Sequence, residues 1–159
     1  MFRREIANDT LPDGPFQALI CRTEKETVSI VVQNVEEVVP ICQLTNVPDA
    51  APWFLGLLNL GGEMIPVVDL EAKISGVRHD LALSDLIVVC TSPNGRVGLV
   101  VDEVVGIHFL NKNAVQTISG SLAGAPYLLG ATEIDAKTVL LLNIQGLSSS
   151  ATLSPEAFL

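Results

Sequence analysis

Apolar residues in this chain come in short runs rich in Val, Ile and Leu, each closed by Gly, Pro, Asn or Asp, and a helical 3.6-residue period is nowhere sustained. The pattern predicts a mainly β protein with strands at 16–23, 27–33, 38–43, 64–70, 85–91, 97–105, 107–110, 114–118, 128–134 and 138–144. Two hairpins punctuate it. Residues 24–26 join the first pair, and Ser92-Pro93-Asn94-Gly95 joins a later pair through an Asn-Gly step suited to positive φ. Residues 48–60 and 155–159 are expected to form short helical turns, and Ser148-Ser149-Ser150 to lead flexibly into a tail.

The strand pattern occurs twice. An offset of 69 lays Cys21 on Cys90, Val28 on Val97, Ile30 on Leu99 and Val38 on Ile107. An offset of 74 then lays Gly56 on Gly130, Ile65 on Val139, Val67 on Leu141 and Asp69-Leu70 on Asn143-Ile144. Two blocks in the same order indicate a duplicated β unit. A unit of about 70 residues buries too little surface to be comfortable alone, and closing each small sheet removes edges that would recruit other chains. The expectation is two five-stranded β barrels packed around a shared hydrophobic core. Their junction is expected near residues 76–83, in a domain spanning 15–147 with an N-terminal extension at 1–14 and a tail at 148–159.

Composition narrows the partners. The 159 residues are 48% hydrophobic and 17% charged, which excludes a disordered or fibrous chain. Eighteen acidic against nine basic residues give a net charge of −9, a field that repels phosphate backbones and anionic membrane surfaces. Nucleic-acid binding and membrane insertion are therefore not expected, and no apolar run is long enough to span a bilayer. Cys21, Cys42 and Cys90 read as buried, reduced thiols of a cytoplasmic protein.

Little in the chain promises chemistry. The two histidines, His79 and His108, share no ligand spacing with cysteines or carboxylates, so no metal and no cofactor are expected. Neither a Gly-x-Ser-x-Gly elbow nor a cysteine in a catalytic setting is present. Gly61-Gly62 lacks the helix and Lys of a phosphate loop and reads as a turn. Asp102-Glu103 are neighbours on a strand, so they point to opposite faces and read as solvated acids. Trp53-Phe54 reads as core packing, with a partner-facing anchor as the other reading.

One stretch is specific. Gly56-Leu57-Leu58-Asn59-Leu60-Gly61-Gly62-Glu63-Met64-Ile65-Pro66-Val67-Val68-Asp69-Leu70 resembles the signature of CheW-like domains, the coupling proteins of bacterial chemosensory arrays. Val97 to Val104, Val35-Glu36-Glu37-Val38 and the terminal Leu140-Leu141-Leu142-Asn143-Ile144 follow in that family's order, and the resemblance spans about residues 15–147. It implies two SH3-like barrels, no catalysis, and an adaptor that bridges the cytoplasmic tip of a methyl-accepting chemoreceptor to the regulatory domain of a histidine autokinase, in chemotaxis or pilus-driven motility, with ring assembly in arrays a further expectation.

Carried over by position, the resemblance implies receptor contact at Val35, Glu37, Val38, Asn59, Gly61 and Gly62, and kinase contact at Val39 and Ile41. Gly61 departs from the family, which has Arg between Leu and Gly, so the cation expected near Glu37 is missing and partner preference is expected to differ. The alternative function is a sensory module holding a small ligand between the barrels, which needs a cavity of about 300 Å³ or more.

Overall fold

The computed structural model describes residues 11–77, 80–118 and 125–153. His79, residues 1–10 and the turns expected at 155–159 lie outside them. The described residues form ten strands: β1 (Pro15–Arg22), β2 (Thr27–Val31), β3 (Val35–Pro40), β4 (Phe54–Leu60), β5 (Glu63–Asp69), β6 (Leu86–Ser92), β7 (Gly95–Val101), β8 (Glu103–Asn111), β9 (Leu128–Ile134) and β10 (Lys137–Leu142). Helix α1 (Leu70–Ser75) follows β5, and helix α2 (Ile144–Leu153) follows β10.

These strands make two five-stranded sheets, in the orders β8-β1-β2-β10-β9 and β3-β6-β7-β5-β4, here called the terminal and the middle barrel. The expected junction at residues 76–83 is corrected by this topology, because β5 and β6 on either side of it belong to the same sheet. The chain instead changes sheets at the 3-10 turn Val32–Asn34 after β2 and at Asp102 after β7. The first two strands of each repeat thus complete the other repeat's sheet, through the parallel pairings β2–β10 and β5–β7. Neither copy has a complete sheet of its own, which is why the two fold as one unit.

Closure is symmetric and rests on glycine. After β3 the chain returns to bridge Thr45 to Leu57, and after β8 it bridges Gln116 to Ala131. A Cβ on Gly56 would meet the Thr45 carbonyl oxygen at 2.7 Å, and one on Gly130 would meet the Gln116 carbonyl oxygen at the same distance. Only glycine lets the closing segments approach so near. Residues 54–60 are therefore strand β4 and not helical turns, and residues 114–118 supply a lone bridge after the 3-10 turn Lys112–Ala114, not a full strand.

Among the described residues, three apolar clusters hold the molecule. Leu58, Ile65, Val67, Ile87, Val89 and Val100 fill the middle barrel, and Phe16, Ala18, Ile20, Leu110, Val139 and Leu141 the terminal one. The seam between them is larger, with fifteen buried residues among those described. At about 1.5–3 kcal/mol for each large side chain fully buried, the seam outweighs either interior. Strands β1 and β6 serve both: Phe16, Ala18 and Ile20 face a barrel interior while Leu19 and Cys21 face the seam, as do Ile87 and Val89 against Val88 and Cys90. Burial on both faces explains why these strands read as unbroken apolar runs.

The helices lock the exchange. Asp69 caps α1 by accepting from the Ala72 N–H at 3.3 Å, and Asn143 at the equivalent position accepts from the Gly146 N–H at 3.3 Å. From α1, Glu71 Oε1 accepts from the Thr23 hydroxyl at 2.6 Å and the Lys25 N–H at 3.1 Å, in the β1–β2 hairpin of the opposite sheet. From α2, buried Ser148 receives a hydrogen bond from the Ser92 hydroxyl at 3.2 Å, so this serine run starts inside a helix and is not a flexible lead. Lys73 lies with Nζ 3.9 Å from the Trp53 ring centroid and 5.8 Å from that of Tyr127, its equivalent in the other repeat.

Cys21 and Cys90 are buried free thiols. Burial pushes Cys21 up to about 12 and raises Cys90 as well, so both stay protonated. Cys42 departs from expectation: it follows β3 on the surface and is exposed.

Candidate docking surfaces

The implied receptor positions gather on the middle barrel. Strand β3 pairs with β6 through Val35–Cys90, Glu37–Val89, Val38–Val88 and Val39–Ile87, with Glu36 as the extra residue of a bulge. Glu37 and Val38 are exposed, Val38 by 40%. Val35 packs against the seam, and Val39 and Ile41 pack inward on the middle barrel, so these three present only part of their side chains to a partner.

Asn59, Gly61 and Gly62 form the tip of the β4–β5 hairpin. Gly61 and Gly62 have φ of +61° and +93°, a two-residue turn that needs positive φ at both central positions. Asn59 braces it by accepting from the Gly62 N–H at 3.1 Å. Nothing lies within 4 Å of a Cβ built on Gly61 or Gly62, so the tip is open.

A cation does stand on this face, though not at position 61. Arg96, near the start of β7, donates from Nε to Glu36 Oε1 at 2.9 Å and pairs through its other nitrogens with Glu36 and with Glu63. Its side chain is 21% exposed. The hydrogen bonds it donates to Glu36 and then to Glu63 push the guanidinium above its ordinary value, so it is always charged. One residue thereby ties β3, β7 and the tip of the β4–β5 hairpin together. Sequence reading missed it because its carboxylate partners lie 60 and 33 residues away and the bulge that aims Glu36 leaves no local signature.

Strand β8 was missed as a surface. It pairs with β1 and shows Val105, Ile107 and Phe109 to solvent, with 49%, 55% and 73% exposure. Val105 is bulged out as Glu36 is, 69 positions earlier. Because His108 between them is half-buried and Leu110 just after them is buried, β8 reads in sequence as a strand buried on both sides. Glu103 at its start pairs with Arg22, and both are about half exposed.

Among the described residues no three of His, Cys, Asp or Glu converge as metal ligands, and no helix is long and apolar enough to cross a membrane. The crevice between the barrels, lined by Val31, Asn34, Pro93, Leu142 and Gln145, holds about 250 Å³ and opens to solvent. A wider hollow of about 420 Å³ lies on the terminal barrel alone, over Gln116, Thr132, Glu133 and Thr138. The space between the barrels falls short of what a small ligand needs.

Two exchanged barrels with filled interiors, carrying apolar side chains on outward strands and a braced hairpin, define a β-barrel docking module. The CheW-like domain family model matches residues 17–152, and the chain belongs to that family. It is 28% identical over 146 residues to the chemotaxis protein CheW of Thermotoga maritima, covering 91% of this chain and 96% of that one. Its identity to the chemotaxis protein CheW of Treponema pallidum is 24%, over 91% and 89% of the two chains. Among solved structures, the scaffolding protein TtCheW from Thermoanaerobacter tengcongensis superposes with a TM-score of 0.73 at 21% identity, over 80% of this chain and 84% of that one, and shares the fold.

Proposed function

We propose that the chain is a non-enzymatic cytoplasmic adaptor that couples a methyl-accepting chemoreceptor to a histidine autokinase. The observation that carries this reading is the ladder of exposed apolar residues on β8, Val105, Ile107 and Phe109, on a molecule whose interior is already filled. Alternating apolar residues turned to water on an outer strand are costly unless a partner covers them. Membership of the CheW-like family supports the same conclusion.

In this reading the receptor tip lies across Val38, the β8 ladder and the hairpin of Asn59, Gly61 and Gly62, with Glu37 on the rim. Val35 holds β3 to the seam beneath it. The kinase regulatory domain docks at the end of the middle barrel where Val39 and Ile41 shape the surface. Signalling is then geometric: holding both partners lets a change in the receptor bias the kinase between two states.

The test is binding of the purified chain to a receptor-tip fragment and to the kinase regulatory domain of the same cell. Phe109→Ser should leave the urea midpoint unchanged, as exposed sites do, yet weaken receptor binding about tenfold. Failure of the unaltered chain to bind either partner overturns the adaptor reading.

A further inference from the structure

We propose that Arg96 is the positioning residue that sets receptor choice on the middle barrel, an inference that rests on the adaptor reading above. The β4–β5 turn consists of two adjacent glycines, and the only side-chain hydrogen bond to it among the described residues is the one that Asn59 accepts from the Gly62 N–H. Glycine pairs leave the backbone many alternatives. Arg96 removes them from the outside. It grips Glu63, the first residue after the turn, and Glu36, the bulged residue of β3, and so fixes the hairpin tip relative to Glu37 and Val38.

The planar guanidinium suits this task, because its fork holds two carboxylates in fixed directions where an ammonium would hold them loosely. The clamp also sets the charge of the face. Glu36 and Glu63 outnumber the one cation they share, and Glu37 stands exposed beside them. This face therefore fits a receptor segment with an apolar centre and a basic rim.

Positioning and simple charge steering make opposite forecasts. If Arg96 acts only through its charge, Arg96→Ala and Glu63→Gln should shift receptor binding in opposite directions. If it acts by holding the hairpin, both should weaken binding, each about tenfold, with the double substitution little worse than either alone. Amide exchange at Gly61, Gly62 and Met64 should speed up in both variants, while binding to the kinase regulatory domain stays unchanged and shows the fold intact. Arg96→Lys, which keeps the charge but not the fork, should fall between.

Receptor binding unchanged in Arg96→Ala and Glu63→Gln, or changed with opposite signs, would overturn the inference while leaving the adaptor reading in place. An unaltered chain that binds neither partner overturns the reading and the inference together.

Discussion

The two repeats agree over most of their inward positions and part company over most of their outward ones. Cys21 and Cys90 occupy the seam, Gly56 and Gly130 admit the closing segments, Asp69 and Asn143 cap the helices, and Trp53 and Tyr127 flank the same lysine. Even the bulges recur, with Glu36 against Val105 and Leu55 against Leu129. Yet the outward positions of β3 are Glu36, Val38 and Pro40, whereas those of β8 are Val105, Ile107 and Phe109. Closure and packing tolerate one solution, so the copies stay alike there. A surface tolerates many, and the outward strands β3 and β8 have diverged into unlike chemistry, acidic and proline-bearing on one and apolar on the other.

The sharpest way to break this comparison is at the closures. Gly56→Ala and Gly130→Ala each drive a Cβ to 2.7 Å from a backbone carbonyl oxygen, which no rotamer change relieves. Each should cost about 3 kcal/mol of stability, read from urea melts, with Gly56→Ala the more costly by about 1 kcal/mol because its φ of +143° adds a backbone strain that Gly130 lacks. Gly61→Ala meets nothing within 4 Å and should cost only about 1 kcal/mol for its positive φ. A gap between Gly56→Ala and Gly130→Ala well beyond that backbone strain would mean that the barrels do not close alike. The caps give a smaller test of the same idea. Asn143→Ala should cost about 1 kcal/mol, whereas Asp69→Asn, which imports the cap of the other repeat, should cost less than Asp69→Ala in the same melts.

How much of this was legible depends on whether the determinant was local. Strand positions and the duplication followed from apolar periodicity, and the Gly61-Gly62 turn from its glycines, because each is written within a few consecutive residues. The exchange of strands between repeats was not legible. Cys21 and Cys90 look equivalent whether β1 pairs with strands of its own repeat or of the other, and only the register of β2 with β10 decides. Strand β4 was misread because Gly56 and Leu57-Leu58 suggest a turn until the bridge to Thr45 is seen. Cys42 read as buried beside Ile41, although the chain has already left β3 there and the thiol faces water. Of the proposed docking face, Glu37, Val38 and the hairpin tip were named through resemblance. Arg96 and Phe109 were not, since one is defined by distant partners and the other by a strand that looks buried.

The finest divergence between the repeats lies in the hairpins under the helices, where Glu26 and Glu71 in one face Gly95 and Gln145 in the other. Burial raises the Glu26 carboxyl above its ordinary 4.5, the charge of Glu71 raises it further, and Lys25 offsets part of this. The folded protein therefore holds this proton more tightly than the unfolded chain does. The stability it contributes is full below the ordinary carboxylate value and is lost as pH rises through the raised one. Glu26→Gln removes that loss, so its urea midpoint should exceed that of the unaltered chain at pH 7 and converge with it near pH 4. A midpoint difference that does not change with pH would place the effect of Glu26 in packing and not in its charge. The asymmetry between the hairpins would then be one of shape alone.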